Sequence, residues 1–199
     1  MPRNPLLVLG LVTLAAVPAA GQSTFTPVFQ APYRAFARHE IGASLSDPGS
    51  GMALEGFYKI GYQKFDIGVR AGFWNPSGAG GNIFLIGGDA RTRVITHNEG
   101  FPLDGALTLG LGFQSGNGAS TGFIPIGLSL GRRIDIEGSK TSFIPYFQPV
   151  LTPTFGDVSD MFFSVGLGAD FKFSPQFDLR VSGAIGDMDG VSVSFAFLQ

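Results

Sequence analysis

Thirteen consecutive positions, residues 161–173, alternate in hydrophobicity with a period of two. The odd positions are all apolar, and the even positions are mostly small or charged. Because a β-strand turns successive side chains to opposite faces, this stretch predicts a strand with one fully apolar face. A soluble sheet also alternates, but this length is about what a tilted strand needs to cross a bilayer.

The alternation recurs along most of the chain and predicts strands joined by short connections, without any helix. Such a series favours an antiparallel up-and-down meander, and closing the meander into a barrel removes its unpaired edges. We therefore predict an all-β fold, a closed transmembrane barrel of about ten strands, with eight as the fallback. The predicted strands are residues 35–45, 52–62, 65–73, 83–95, 103–114, 124–131, 143–155, 161–173, 177–185 and 191–198.

Two segments depart from the regular pattern. Residues 143–155 contain Pro145, Pro149 and Pro153, each of which removes a hydrogen-bond donor from the sheet. They indicate either bulges or a weak seam facing an oligomer partner. Residues 115–122 are rich in glycine and serine and are predicted to be a loop.

Composition favours a membrane barrel over a soluble one. The 199 residues include 30 glycines and 20 phenylalanines, but only 14% are charged. A soluble barrel would turn its polar face to water, and we would expect much more charge on it. Here that face is mainly Gly, Ser, Ala and Thr, which suits a barrel with its polar side inward. A soluble periplasmic ligand-binding β-barrel with an apolar core remains open as an alternative.

The N-terminal residues resemble an export signal. Arg3 supplies positive charge, residues 6–16 are apolar, and residues 17–21 offer small side chains for cleavage. We predict a signal peptide at residues 1–21, removed after Sec export, a flexible lead-in at residues 22–34 and the barrel at residues 35–199. The apolar run is shorter than the roughly 20 residues of a spanning helix.

Charge and cysteine content exclude several classes of function. The formal net charge is −2, and no run of Lys or Arg is present, so we predict no nucleic-acid partner. The chain contains no cysteine, which excludes disulfides and thiol chemistry. No cofactor is predicted.

Opposite charges are interleaved on the polar face, for example Glu55 with Lys59 and Asp178 with Arg180. Such pairing suits a crowded lumen, where an unpaired charge would be costly. A ten-stranded barrel is near the size that side chains can fill, so we predict a largely plugged lumen that passes small ions at most. The predicted lumen charge network is Glu55, Lys59, Asp66, Arg70, Asp89, Arg91, Arg93, Asp104, Asp170, Lys172, Asp178 and Arg180.

Three local patterns resemble catalytic or metal-binding motifs but lack their context. Residues 127–131 fit G-x-S-x-G around Ser129, yet no strand-to-helix turn follows. His39 beside a lumenal carboxylate is the possible nucleus of a barrel hydrolase acting on outer-membrane lipid or peptide, which is the enzymatic alternative. Residues 187–190 favour a tight turn over a calcium loop. We predict a protein without enzymatic activity and without a metal site.

Several pieces, residues 124–131, Pro145-Tyr146, residues 165–174 and residues 177–180, resemble the small outer-membrane β-barrel proteins of the OmpA- and OmpX-like group. The chain end is similar to the C-terminal signal that the barrel-assembly machinery recognises. The residues that carry this second similarity are Gly190, Val193, Phe195 and Phe197. The resemblance implies an outer-membrane location, contact with outer-membrane lipid, and contacts with the assembly machinery and periplasmic chaperones during folding.

The resemblance names a fold and a compartment but no substrate. The connections are short, which disfavours an adhesin. We therefore expect a structural, membrane-stabilising or surface-interaction role, with a narrow pore for small solutes or ions as the alternative.

Overall fold

The computed structural model describes residues 23–78 and 81–199, and every regular element in them is a β-strand. Within this part of the chain, no helix has the length and apolar character needed to cross a membrane. The strands are β1 His39–Asp47, β2 Met52–Tyr62, β3 Phe65–Asn75, β4 Ile83–Ile95, β5 Asp104–Gly116, β6 Ala119–Phe123, β7 Ile126–Gly131, β8 Ile134–Asp135, β9 Ser142–Gly156, β10 Met161–Lys172, β11 Phe177–Gly186 and β12 Gly190–Leu198.

These strands form a single closed antiparallel sheet. We call each strand position in the barrel wall a stave. β6 and β7 are two pieces of one stave, interrupted at Ile124-Pro125, and both pair with β5 and β9. The short β8 only borders β9. The barrel therefore has ten staves, and the predicted all-β closed barrel is confirmed.

The barrel closes between its first and last strands. β1 pairs with β12 from Glu40 opposite Leu198 to Asp47 opposite Val191. We call the end that holds the start of β1, the end of β12 and the 63–64 turn the near rim. The opposite end, with the 117–118 turn, is the far rim.

Burial alternates along each stave as the sequence predicts. In β2, Glu55 and Lys59 are buried, whereas Leu54 and Ile60 on the other face are exposed. The barrel thus turns its polar face inward and its apolar face outward, which is the reverse of a soluble globule.

Most of the described chain before β1 lies inside the barrel, and we call residues 23–38 the interior segment, of which Ala37 and Arg38 are exposed at the near rim. Ser23 and Phe29 are 2% and 1% exposed. A Cβ atom on Gly112 of β5 would lie 1.3 Å from the Ser23 carbonyl oxygen, and one on Gly166 of β10 would lie 2.0 Å from the Phe29 ring. Inward glycines therefore provide the room that this segment occupies.

The sequence predicts a flexible lead-in at residues 22–34, but from residue 23 onward the structure packs this segment in the lumen. The predicted signal peptide, residues 1–21, lies outside the described residues. The strand predicted from residue 35 begins at His39. The N–H groups of Ala37, Arg38 and His39 all donate to the Gln199 carbonyl, which marks where the interior segment turns into β1.

The prediction of a loop at residues 115–122 is wrong. Asn117 and Gly118 have φ angles of 54° and 81°, the positive pair that a two-residue type I′ turn requires. The turn lets Ser115 and Gly116 pair with Ser120 and Ala119, so β5 and β6 extend to the far rim.

The prolines of β9 do not produce bulges. β9 pairs with β10 without interruption from Ser142 to Pro153. Since Pro145, Pro149 and Pro153 are four residues apart, they share one orientation, and their missing donors all face the β6/β7 stave. In the same ladder, the Pro153 carbonyl accepts the N–H of Ile124 at 3.0 Å.

Candidate functional site: the barrel interior

The inner wall carries the charged residues that the sequence assigns to a lumen network. Glu55, Asp66, Asp104, Asp170 and Asp178 are each at most 3% exposed. They lie on β2, β3, β5, β10 and β11, so the inward turn of the polar face brings distant parts of the chain into one compartment. Burial of this many carboxylates requires cations and donors beside them.

One group of ion pairs links β2, β3 and β4. The Lys59 ammonium lies 2.8 Å from Asp89, and Arg91 lies 3.0 Å from Asp66. Arg70 approaches Glu55 at 3.7 Å. Each of these pairs joins two different strands, so each one ties the barrel wall across its circumference.

A second group is centred on Arg180 of β11. Its guanidinium lies 2.6 Å from Glu40, 2.7 Å from Asp178 and 3.5 Å from Asp170. Glu40, on β1, is absent from the predicted network although it is 1% exposed. The bidentate contact of Arg180 with Glu40 connects β11 to β1 past the intervening β12.

Asp178 and Arg180, close in sequence, do contact each other at 2.7 Å, but other partners differ from the pairs suggested by sequence proximity. Lys59 contacts Asp89 and not Glu55, and Lys172 donates to the Ala35 carbonyl at 2.6 Å. Asp104 contacts His97 at 2.6 Å and the Tyr33 hydroxyl. Partners set by strand register cannot be identified from spacing along one strand.

Gln30 of the interior segment forms hydrogen bonds with both members of the Lys59–Asp89 pair. Its side-chain oxygen accepts from Lys59 at 2.7 Å, and its side-chain nitrogen donates to Asp89 at 2.8 Å. Its backbone N–H donates to Gln148 at 3.0 Å, and its carbonyl accepts from Ser129 at 2.5 Å. Gln30 thus connects the interior segment to four strands at one level of the barrel.

Further contacts hold the segment on the other side of the lumen. The Pro27 carbonyl accepts from Ser182 at 2.8 Å and from Ser192 at 2.9 Å. Thr26 donates to Glu55 at 2.8 Å. The small hydroxyl residues of the inner face therefore act as donors to a buried backbone, which satisfies groups that water would otherwise bind.

The interior segment also has an apolar side. Phe29 and Ala31 pack in one cluster with Ile144, Tyr146 and Val150 of β9. The sequence contains a signal for this contact, since these three β9 residues are apolar on the face that is polar elsewhere in the barrel. An apolar patch on an otherwise polar inner face indicates that another segment packs against it.

Little space remains around the centre of the segment. The cavity lined by Phe29, Gln30 and Lys59 has a volume of about 10 Å³, roughly the space of one water molecule. No group of three or more His, Cys, Asp or Glu in residues 23–78 and 81–199 is arranged to hold a metal ion.

The residues considered for catalysis have other contacts. Ser129 is fully buried and donates to Gln30. His39 Nδ1 lies 2.8 Å from the Tyr58 hydroxyl, and within residues 23–78 and 81–199 it forms no ion pair with a carboxylate. Asp187 accepts the Phe163 N–H at 2.8 Å and so caps the turn before β12.

The predicted assembly signal lies on β12. Val193 and Phe195 point outward and are 48% and 52% exposed. Phe197 follows on the same face, with its ring centroid 5.4 Å from that of Phe177. Gly190 begins the strand with a φ of 127°. Recognition of these residues by an assembly machinery stays a prediction.

No known protein family has a model that matches the chain, and no curated protein matches its sequence. Two solved structures are similar in fold. One, described as de novo design of transmembrane β-barrels, is 12% identical with a TM-score of 0.40, over 80% of this chain and 92% of that chain. The other is the β-domain of the Bordetella autotransporter BrkA, 14% identical with a TM-score of 0.45, over 80% of this chain and 96% of that chain. Membership of the OmpA- and OmpX-like group stays a prediction.

Proposed function

We propose that the chain is an integral outer-membrane β-barrel whose lumen is closed by its own interior segment and charge network. Its role would be structural, membrane-stabilising or surface-interacting. The main support for this proposal is that apolar side chains face outward and charged side chains face inward. Ile67 and Val69 are 62% and 60% exposed, whereas the flanking Asp66 and Arg70 are 3% and 8% exposed. Large exposed apolar surfaces of this kind are rare in monomeric soluble proteins.

The dimensions of the staves support a membrane location. β2 and β3 each have 11 residues. At about 3.4 Å per residue and a tilt of about 40°, such a strand covers about 28 Å along the barrel axis, close to the apolar band of known membrane barrels. Tyr62 and Phe65, 70% and 52% exposed at the near rim, lie where an aromatic girdle would meet the lipid interface.

The packing of the lumen supports a closed barrel over an open pore. Conduction requires a continuous water-filled path, and the contacts of Gln30 and Phe29 leave a cavity of about 10 Å³ at their level. The same packing disfavours a soluble barrel with an apolar core, because the interior at the level of Phe29 and Gln30 is charged and filled. Ser129 serves the interior segment as a donor, so the proposal assigns it no catalytic role.

Two experiments test this proposal. Outer-membrane fractions are run on gels with and without boiling in detergent, and a shift in migration on boiling is expected for a closed membrane barrel. Recovery in the soluble periplasm, without a shift, would instead support the soluble barrel. The same preparation tests Sec export, since mass spectrometry then reports whether residues 1–21 are absent.

Planar bilayer recordings test the closed lumen. We expect no large stable conductance from the purified protein and discrete channels from a variant that lacks residues 23–31. The variant is used only if it retains the heat-dependent gel shift, which shows that its barrel is closed. Large stable conductance from the unaltered protein would contradict the closed lumen and favour the pore.

A further inference from the structure

A second cavity opens at the near rim, between that rim and the filled part of the lumen. Its volume is about 470 Å³, within the range of small-molecule sites. The interior segment, the 63–64 turn and β4 meet around it. Its charged lining residues are Arg34, Lys64, Arg91, Arg93, Arg133 and Asp66, which is five cations against one carboxylate.

Several of these cations lack an acidic partner. Arg91 pairs with Asp66 at 3.0 Å, and Arg133 pairs with Asp135 at 2.7 Å. Among the described residues, Arg34, Lys64 and Arg93 form no ion pair with a carboxylate. Arg34 donates only to the Phe65 carbonyl, at 3.0 Å. The interior segment, the 63–64 turn and β4 therefore each bring one cation without a carboxylate partner to the cavity.

We propose that this near-rim cavity binds a small organic phosphate. Guanidinium groups match phosphate oxygens with paired donors, and an ammonium adds a point charge. Arg93 is held over the Tyr33 ring, with 6.0 Å between its guanidinium carbon and the ring centroid, so one phosphate-binding group is oriented before binding. Pro32, Tyr33 and Phe36 line the same cavity and provide an apolar wall for the organic part.

The distribution of charge along the barrel axis supports an anionic ligand at this end. The far rim has five aspartates and no Lys or Arg in its turns and strand ends. These aspartates are Asp47, Asp157, Asp160, Asp187 and Asp189. An anion in solution is thus attracted toward the near rim and repelled from the far rim. The inference depends on the near-rim residues and holds whether or not the barrel lies in a membrane.

Phosphate chemistry could reach the cavity from solution or from a lipid headgroup. The probe is therefore inorganic pyrophosphate, titrated calorimetrically into the protein in neutral detergent and then in nanodiscs. Retained binding in nanodiscs with phosphatidylglycerol assigns the site to soluble phosphates. Binding in phosphatidylcholine nanodiscs that phosphatidylglycerol abolishes assigns it to the lipid phosphate.

Charge-matched variants separate the site from general electrostatics. Lys64→Gln with Arg93→Gln should weaken pyrophosphate binding by about tenfold or more, since two charge-assisted contacts are lost. Arg132→Gln with Lys140→Gln removes the same charge from the same rim outside the cavity and should change binding less than about twofold. Absence of binding to the unaltered protein, or equal weakening in both variants, would overturn the proposal.

Discussion

The carbonyl oxygen of Pro153 accepts the N–H of Ile124 at 3.0 Å, and Pro153 has no N–H to donate to the Ile124 carbonyl. Pro145 stands in the same relation to Arg132, whose N–H it accepts at 3.3 Å. Pro149 lies between them, opposite Leu128 in the register of β7 with β9. Between β9 and the β6/β7 stave, every second pair of hydrogen bonds therefore has one of its two bonds missing. The ladder between β9 and β10 is complete.

Replacing Pro149 with valine should strengthen this seam. The restored N–H can donate to the Leu128 carbonyl, a net gain of about 0.5–1.5 kcal/mol, partly offset by about 0.4–1 kcal/mol from the freer unfolded chain. We expect a small rise in the temperature at which the folded gel band converts to the unfolded one. Pro76→Val, in the loop that follows β3, has no ladder partner and should not raise it. Equal shifts in both variants would contradict this account of the seam.

Removing the cation of the Lys59–Asp89 pair should be costly. In Lys59→Met, Asp89 loses its ion-pair partner and keeps the Gln30 amide as a donor, and removal of one partner of a buried pair costs about 3–5 kcal/mol. The double variant Lys59→Met with Asp89→Leu should recover much of that loss. Unfolding by guanidinium in detergent micelles measures the free energies, and strictly additive losses would show that the two side chains are not coupled.

Gly166 is predicted to be essential for packing the interior segment. A Cβ atom there would lie 2.0 Å from the Phe29 ring, whereas one on Gly56, on the outer face, would have no neighbour nearer than 4.0 Å. Gly166→Ala should lower the free energy of unfolding by about 1–3 kcal/mol through overpacking, and Gly56→Ala should have little effect. Equal stability of the two variants would mean that Phe29 moves aside freely.

An outward charge should distinguish lipid from water around the barrel. Val69 lies near the middle of β3 and Met52 at the far rim, 60% and 55% exposed. In a bilayer, Val69→Arg should cost about 2–4 kcal/mol and Met52→Arg about 0–1 kcal/mol. Folding titrations into lipid vesicles measure both. A negligible cost for Val69→Arg would favour the soluble barrel.

The strand bounds were predictable where hydrophobic alternation within one strand marks its two faces. The bounds of β2 and β4 agree with the alternation, because alternation reports the two faces of a single strand. The Asn117-Gly118 turn was missed although Asn-Gly is a strong hairpin signal, since the flanking Ser and Thr residues resemble a loop in composition. The break at Ile124-Pro125 is visible only once β5 is known to pair with both pieces.

The interior was less predictable. Inward charges such as Asp66 and Arg70 follow from parity, but their partners depend on register across strands. The interior segment was missed because its residues, Thr26 and Gln30 among them, are polar and proline-flanked, which is also typical of a free lead-in. The apolar inner face of β9, with Ile144 and Val150, was the available signal that something packs there.

The position of the interior segment limits the routes by which the barrel can fold. Residues 23–38 continue directly into β1, and β1 meets β12 to close the wall. Once that contact has formed, the segment can enter or leave only lengthwise, through a rim. Lateral entry is possible only while the two strands are still apart, so on that route the interior segment must be in place before β1 meets β12. The speed of closure would then depend on how soon Gln30 finds Lys59 and Asp89.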